Sequence, residues 1–182
     1  MQTLAFLLLV LLGAALPGTA QTAAPGGVIV HEAQGVYRVT AQFAVAAPPE
    51  AVLAVLTDYE NIPRFMPDVT RSIVRAREPH RAIVEQEAQA RVMLFSKTIH
   101  LLLDIEEQAL GLTFVDTSGR SFASYRGGWR VDPAADGAVV TYELEARPAF
   151  DVPKFVLVRA LRNDSTRMIE RLRAEMRARA LS

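Results

Sequence analysis

Acid–base or metal chemistry through an imidazole has three candidates in this chain: His31, His80 and His100. A helical zinc pair needs two ligands at i and i+4, and no two of them have that spacing. His31 lies near an N-terminal linker, His80 lies beside a turn, and His100 shares a strand face with Asp104 and Glu106. Cysteine is absent, which removes a thiol nucleophile, a thiolate zinc site, an iron–sulfur cluster and a disulfide framework. No Gly-x-Ser-x-Gly elbow and no phosphate-binding glycine loop occurs. Asp58 and Glu60 could be a carboxylate acid/base pair, but their place after a short apolar helix reads as a helix end and a turn. The residues therefore point to binding rather than to catalysis, with no cofactor and no metal expected.

The composition agrees with one ordinary domain that has a sizeable core. The chain has 182 residues, 51% of them hydrophobic, with 20 Lys plus Arg against 20 Asp plus Glu. Zero formal charge argues against a nucleic-acid binder, which needs a basic surface to displace counterions, and the hydrophobic content is too high for a disordered chain. The charge is unevenly placed. From Pro153 onward Lys154, Arg159, Arg162, Arg167, Arg171, Arg173, Arg177 and Arg179 oppose only Asp164, Glu170 and Glu175. Such a helix face can touch anionic phospholipid. A solvated face laced by i, i+4 ion pairs, such as Glu175 with Arg179, is the preferred reading.

Leu4 to Leu16 (LAFLLLVLLGAAL) is an uncharged apolar run, followed by Gly18 and Ala20 as small residues before a cleavage point. That run is too short to cross a bilayer core of about 30 Å comfortably. It predicts a signal peptide over residues 1–20 and export to the periplasm or beyond. Residues 21–35 read as a linker with a possible extra strand, and residues 36–181 as the folded domain.

Within that domain Tyr37, Val39, Ala41, Phe43 and Val45 alternate with polar neighbours, which predicts a strand buried on one side. Pro48-Pro49 then opens a helix carrying Ala51, Val52, Val55, Leu56 and Tyr59, and a second short helix covers Asn61 to Phe65. Beyond Pro67 the period is that of strands: Val69–Arg77, Arg81–Ala90, Arg91–Glu106, Leu112–Asp116, Ser121–Val131 and Ala138–Ala146. Their short connections predict an antiparallel meander. In the longest segment Met93, Phe95, Ile99, Leu101, Leu103 and Ile105 share a face that Lys97 interrupts. Lys97 can meet an anionic headgroup, or a strand end or bulge can turn it to solvent; the second is preferred. Gly127-Gly128 suggests a bulge or a sharp bend. From Pro153 the period becomes helical, with Phe155, Val158, Leu161, Ser165, Ile169, Leu172 and Met176 as one stripe. Asn163, Asp164 and Ser165 predict a weak point or bend in that helix.

The order of elements resembles the helix-grip fold, an α+β architecture in which a curved antiparallel sheet wraps a long C-terminal helix. The resemblance is specific in Ala47-Pro48-Pro49-Glu50-Ala51-Val52, in Leu56-Thr57-Asp58-Tyr59-Glu60-Asn61-Ile62-Pro63-Arg64-Phe65-Met66-Pro67, and in Gly128-Trp129-Arg130-Val131 with Val140-Thr141-Tyr142-Glu143-Leu144. These residues look like the START-like (SRPBCC) superfamily and its polyketide cyclase/dehydrase and coenzyme Q-binding branch. The resemblance implies a cavity between sheet and helix for a lipid, quinone or polyketide-like molecule. Phe95, Ile99, Leu101, Phe114, Tyr125, Trp129, Tyr142, Phe155, Val158, Met168, Ile169 and Leu172 would line it, or they simply fill the core. Tyr125, Trp129 and Tyr142 would add polar anchors for a headgroup or a carbonyl. The alternatives are an aromatase/cyclase-type enzyme using a tyrosine or carboxylate, and a protein-interaction module using the arginine face.

Overall fold

A computed structural model describes residues 27–92 and 95–181, with the side chains of residues 91, 92 and 95 left aside. The expected signal peptide lies outside the described residues. The chain begins with β1 (Val28–Ala33), which turns through Gln34-Gly35 into β2 (Val36–Val45). Both turn residues have positive φ, 54° and 78°, as a two-residue hairpin matched to strand twist requires. β1 thus occupies part of the segment read as a linker with a possible extra strand. Next come α1 (Pro49–Leu56), a 3-10 turn at Tyr59–Asn61, and α2 (Ile62–Phe65). The meander follows as β3 (Val69–Glu78), β4 (Arg81–Val92), β5 (Phe95–Gln108), β6 (Gly111–Asp116), β7 (Phe122–Ala134) and β8 (Gly137–Pro148). α3 (Lys154–Ala180) closes the fold.

All eight strands form one antiparallel sheet in the order β1-β2-β8-β7-β6-β5-β4-β3, so the fold is the α+β helix grip. Alternation works as expected in β2, where Tyr37, Val39, Ala41, Phe43 and Val45 are all buried. The boundary expected between Ala90 and Arg91 moves. Arg91 and Val92 belong to β4, pairing with Ser96 and Phe95. Gly127 and Gly128 carry no bulge, since pairing with β6 and β8 runs unbroken through both. They permit close approach instead. The irregularities lie in β3 and between Phe122 and Ser124.

α3 runs without interruption through Asn163, Asp164 and Ser165, the place of the expected weak point or bend. Ser165 is buried, and Asp164 pairs with Arg167 on the surface, so neither competes destructively with the helix backbone. The stripe is also re-phased at its start. Val156 and Leu157 are buried, whereas Phe155 is 74% exposed. Two residues before Leu157, Phe155 lies about 200° around the helix from it and faces water.

The C-terminal half of α3 is the better anchored. Ile169, Leu172 and Met176 enter the main core, Arg171 pairs with Asp68 at 3.0 Å, and Arg179 reaches Asp58 at 2.8 Å. The Glu175–Arg179 pair expected from spacing is present at 2.7 Å. Asp58 also accepts a hydrogen bond from Asn61, so its carboxylate joins the 3-10 turn to the end of α3.

These ion pairs give stability a predictable pH dependence. Hydrogen bonds from Lys154, Arg75, Arg81 and Arg126 hold Glu32, Glu85, Asp104 and Glu145 below the ordinary carboxylate range. Burial pushes Asp58 up, but its bonds from Asn61 and Arg179 outweigh that and lower it. A carboxyl depressed in the folded state stabilises it above the unfolded pKa, and that gain is lost as pH falls through the folded value. Asp164, raised by burial, acts with the opposite sign and offsets part of the loss. Thermal unfolding is therefore expected to be flat near neutrality and to weaken below roughly pH 4. Salt should blunt the effect, because none of these carboxyl groups is fully buried. A melting temperature that rises on acidification would contradict the assignment.

Candidate functional site

α3 packs across the inward face of the sheet. The helix approaches β1 and β2 on one flank and β4 on the other. Between those flanks the inward positions follow from register: Ile99 and Leu101 on β5, Phe114 on β6, Tyr125 and Trp129 on β7, and Tyr142 on β8. The structure divides the expected lining residues into groups. Ile99, Leu101, Phe114, Tyr142, Ile169 and Leu172 are buried in the main core, while Tyr125, Trp129 and Met168 are only half-buried and pack against it. Val158 is half-buried beside the helix stripe. Phe155 is a correction, because it points to solvent and lines nothing between sheet and helix. Phe95 begins β5, with its side chain outside the described residues.

Two wall residues escaped the sequence reading. Phe122 lies three residues before Tyr125, so regular alternation would place them on opposite faces. The register shift between Phe122 and Ser124 brings them together, with ring centroids 4.8 Å apart. Phe150 sits in the connection after β8, where no periodicity marks it, and its ring is 6.4 Å from Phe122. Tyr125 further touches Phe114 at 5.7 Å, and Trp129 stacks on Tyr142 at 4.3 Å. The result is a chain of rings along the concave face, from Phe150 at the end where β5 and β7 begin to Trp129 deeper in.

Polar groups on this wall are few. The hydroxyls of Tyr125 and Tyr142 interact with each other. Burial pushes Tyr125 up to about 12 and Tyr142 well above its usual value, so both stay neutral phenols at physiological pH. Neutral phenols donate hydrogen bonds to a carbonyl or headgroup oxygen; they do not serve as bases. Gln86 donates to the buried Ser72 at 3.2 Å at the β3–β4 side of the same face.

The histidines do not converge. His100 lies on the convex face with its Nδ1 3.6 Å from Glu87, and His80 and His31 are exposed. Among the described residues no group of three His, Asp or Glu side chains could hold a metal ion. Two surface concavities of about 430 and 480 Å³ lie at the far end, around Ala44–Pro49, the β7–β8 turn and the last turns of α3. None of the expected lining residues borders either one.

Comparison with known proteins matches this geometry. Residues 37–177 fit the family described as polyketide cyclase/dehydrase and lipid transport. A protein of known structure from Thermus thermophilus is 25% identical, with a TM-score of 0.65 over 79% of this chain and 97% of that one. The Zhui aromatase/cyclase of a Streptomyces species is 13% identical, with a TM-score of 0.66 over 78% of this chain and 93% of its own. A STAR-related lipid transfer protein from Xanthomonas axonopodis is 18% identical, with a TM-score of 0.61 over 83% and 99%. The last two establish a shared fold. No curated protein matches the sequence. With residues 37–177 covered, and with α3 packed across the inward face of the sheet, the chain belongs to the polyketide cyclase/dehydrase and lipid transport family.

Proposed function

We propose that this protein is exported and binds a hydrophobic small molecule, a lipid, quinone or polyketide-like compound, between the concave sheet face and α3. One observation carries the reading. α3 rests on the two flanks of the sheet, and the inward-facing Tyr125 and Trp129 between them are only partly buried although their neighbours are apolar. An apolar wall that is incompletely covered supports the reading of a ligand groove. Affinity needs no reactive group, since each buried methylene contributes about 0.8 kcal/mol. The Tyr125 and Tyr142 hydroxyls supply the polar contact that orients a carbonyl or headgroup.

A cyclase would need a proton acceptor on this wall, and burial keeps both phenols protonated. Binding is therefore the favoured reading. Export is supported by the apolar Leu4 to Leu16 run and the small residues at Gly18 and Ala20. Peripheral membrane contact fits the same end of the molecule. Phe155 is 74% exposed, with the exposed Arg159 and Arg162 on the following turns, a pairing suited to an anionic lipid surface.

Trp129 is the single tryptophan, which makes its fluorescence a reporter of this one wall. Native mass spectrometry of protein secreted by its own host is expected to show a bound apolar molecule and a chain starting at Gln21. Titration of stripped protein with a quinone is expected to quench Trp129. Protein that is reproducibly empty, with Trp129 emission indifferent to lipid and quinone alike, would overturn the proposal.

A further inference from the structure

Lys97 stands on the concave face of β5, in the same alternation as Ile99, Leu101, Leu103 and Ile105. Its partner is Ala90, and the β4–β5 register runs one-to-one through that pair, so no bulge displaces it; it lies two residues into β5 and its side chain is exposed at the strand end. Among the described residues no carboxylate lies within ion-pair distance of it. Its Nζ sits instead 4.3 Å above the ring of Phe150. Neighbouring strand cations are held differently: Arg81 by Asp104, Arg75 by Glu85 and Arg126 by Glu145. Phe150 is also the outer end of the ring chain that leads through Phe122 and Tyr125 to Tyr142 and Trp129.

We propose that Lys97 receives the headgroup of the ligand, and that the ligand is a single-chain amphiphile with an anionic head, a carboxylate or a phosphate. This rests on the hydrophobic-binding reading above and names the class of molecule it would hold. The anion takes Lys97 from the Phe150 ring while the tail lies along Tyr125 to Trp129, four strand residues or about 13 Å. The exchange is downhill, because an exposed cation–π contact is weaker than a charge-assisted hydrogen bond. Among the described residues no ion pair of Lys97 has to be broken. Phe150, once released, is free to close over the first methylenes.

The test uses the mature protein with dodecanoate, dodecyl phosphate and dodecanol below their aggregation concentrations, read by Trp129 fluorescence and calorimetry. The wild type is expected to bind at least one of the two anions about tenfold more tightly than the alcohol, as a hydrogen bond to a charged group would give. The tighter anion identifies the head as carboxylate or phosphate. Lys97→Met should abolish the preference while keeping dodecanol affinity, and Lys97→Arg should keep it. Equal affinity for anions and alcohol in the wild type, or a preference that survives Lys97→Met, overturns the role of Lys97 and leaves hydrophobic binding standing. If none of the three binds while a quinone does, the amphiphile is wrong and the groove is right. If nothing apolar binds, both readings fall.

Discussion

Met176→Ala is expected to destabilise the domain by about 2–5 kcal/mol, the range for deleting a long apolar side chain from a packed interior. Met176 is fully buried in the last turns of α3, within the main core cluster. Ile169→Ala and Leu172→Ala belong in the same range, since both side chains are 5% exposed. Val158 and Leu161, half-buried in the first half of the helix, should each cost markedly less when trimmed. This contrast bears on function. If α3 opens to admit a ligand, its N-terminal half must move, because the C-terminal half is held by core side chains and by Arg171–Asp68 and Arg179–Asp58. Chemical unfolding of the variants with and without a bound lipid checks the idea. The C-terminal losses should be indifferent to ligand, whereas Leu161→Ala should alter ligand affinity more than stability. The reverse pattern would place the moving part at the other end.

Gly127→Ala is expected to be at least as damaging, although it adds only a methyl group. A Cβ built there would lie 2.2 Å from the carbonyl oxygen of Glu143 and 2.8 Å from Cζ of Phe114. The Phe114 ring can swing, but the Glu143 carbonyl belongs to the paired β8 strand and yields only if the β7–β8 ladder is distorted. Overpacking costs about 1–3 kcal/mol in an ordinary core, and the backbone clash puts this site at or above the upper end. Gly35→Asn is the matched control. Gly35 has φ of 78° and open space for at least 4 Å around the position a Cβ would take, and asparagine tolerates that conformation in a hairpin turn. Melting temperatures of the two variants should therefore separate widely. A Gly127→Ala protein as stable as wild type would mean that the close strand approach at this point is not rigid.

Both expectations depend on features that periodicity carries only in part. Alternation in β2 and the helical period after Pro153 are covalently local signals, and they suffice for the order of elements, the antiparallel meander and the family resemblance. The same signals leave the first turns of α3 ambiguous. Steps of three and of four residues both stay near one helix face, so Leu161 can be continued backwards to Val158 and Phe155 or to Leu157. Contact with β1 and β2 selects Leu157 and leaves Phe155 in water.

The sequence alone determined the fold class, the apolar character of the concave face and the absence of cysteine chemistry, because these follow from residue type and local spacing. Only the tertiary structure decided which of those apolar residues are packed core and which remain half-open, since that depends on sheet curvature and on where the helix crosses it. It also decided the aromatic path. Phe122 joins Tyr125 through a local irregularity in pairing with β8, Phe150 arrives from a connection without periodicity, and Lys97 is drawn onto the Phe150 ring from over fifty residues away in sequence. Such contacts are set by the three-dimensional approach of distant segments, for which a one-dimensional pattern holds no signal.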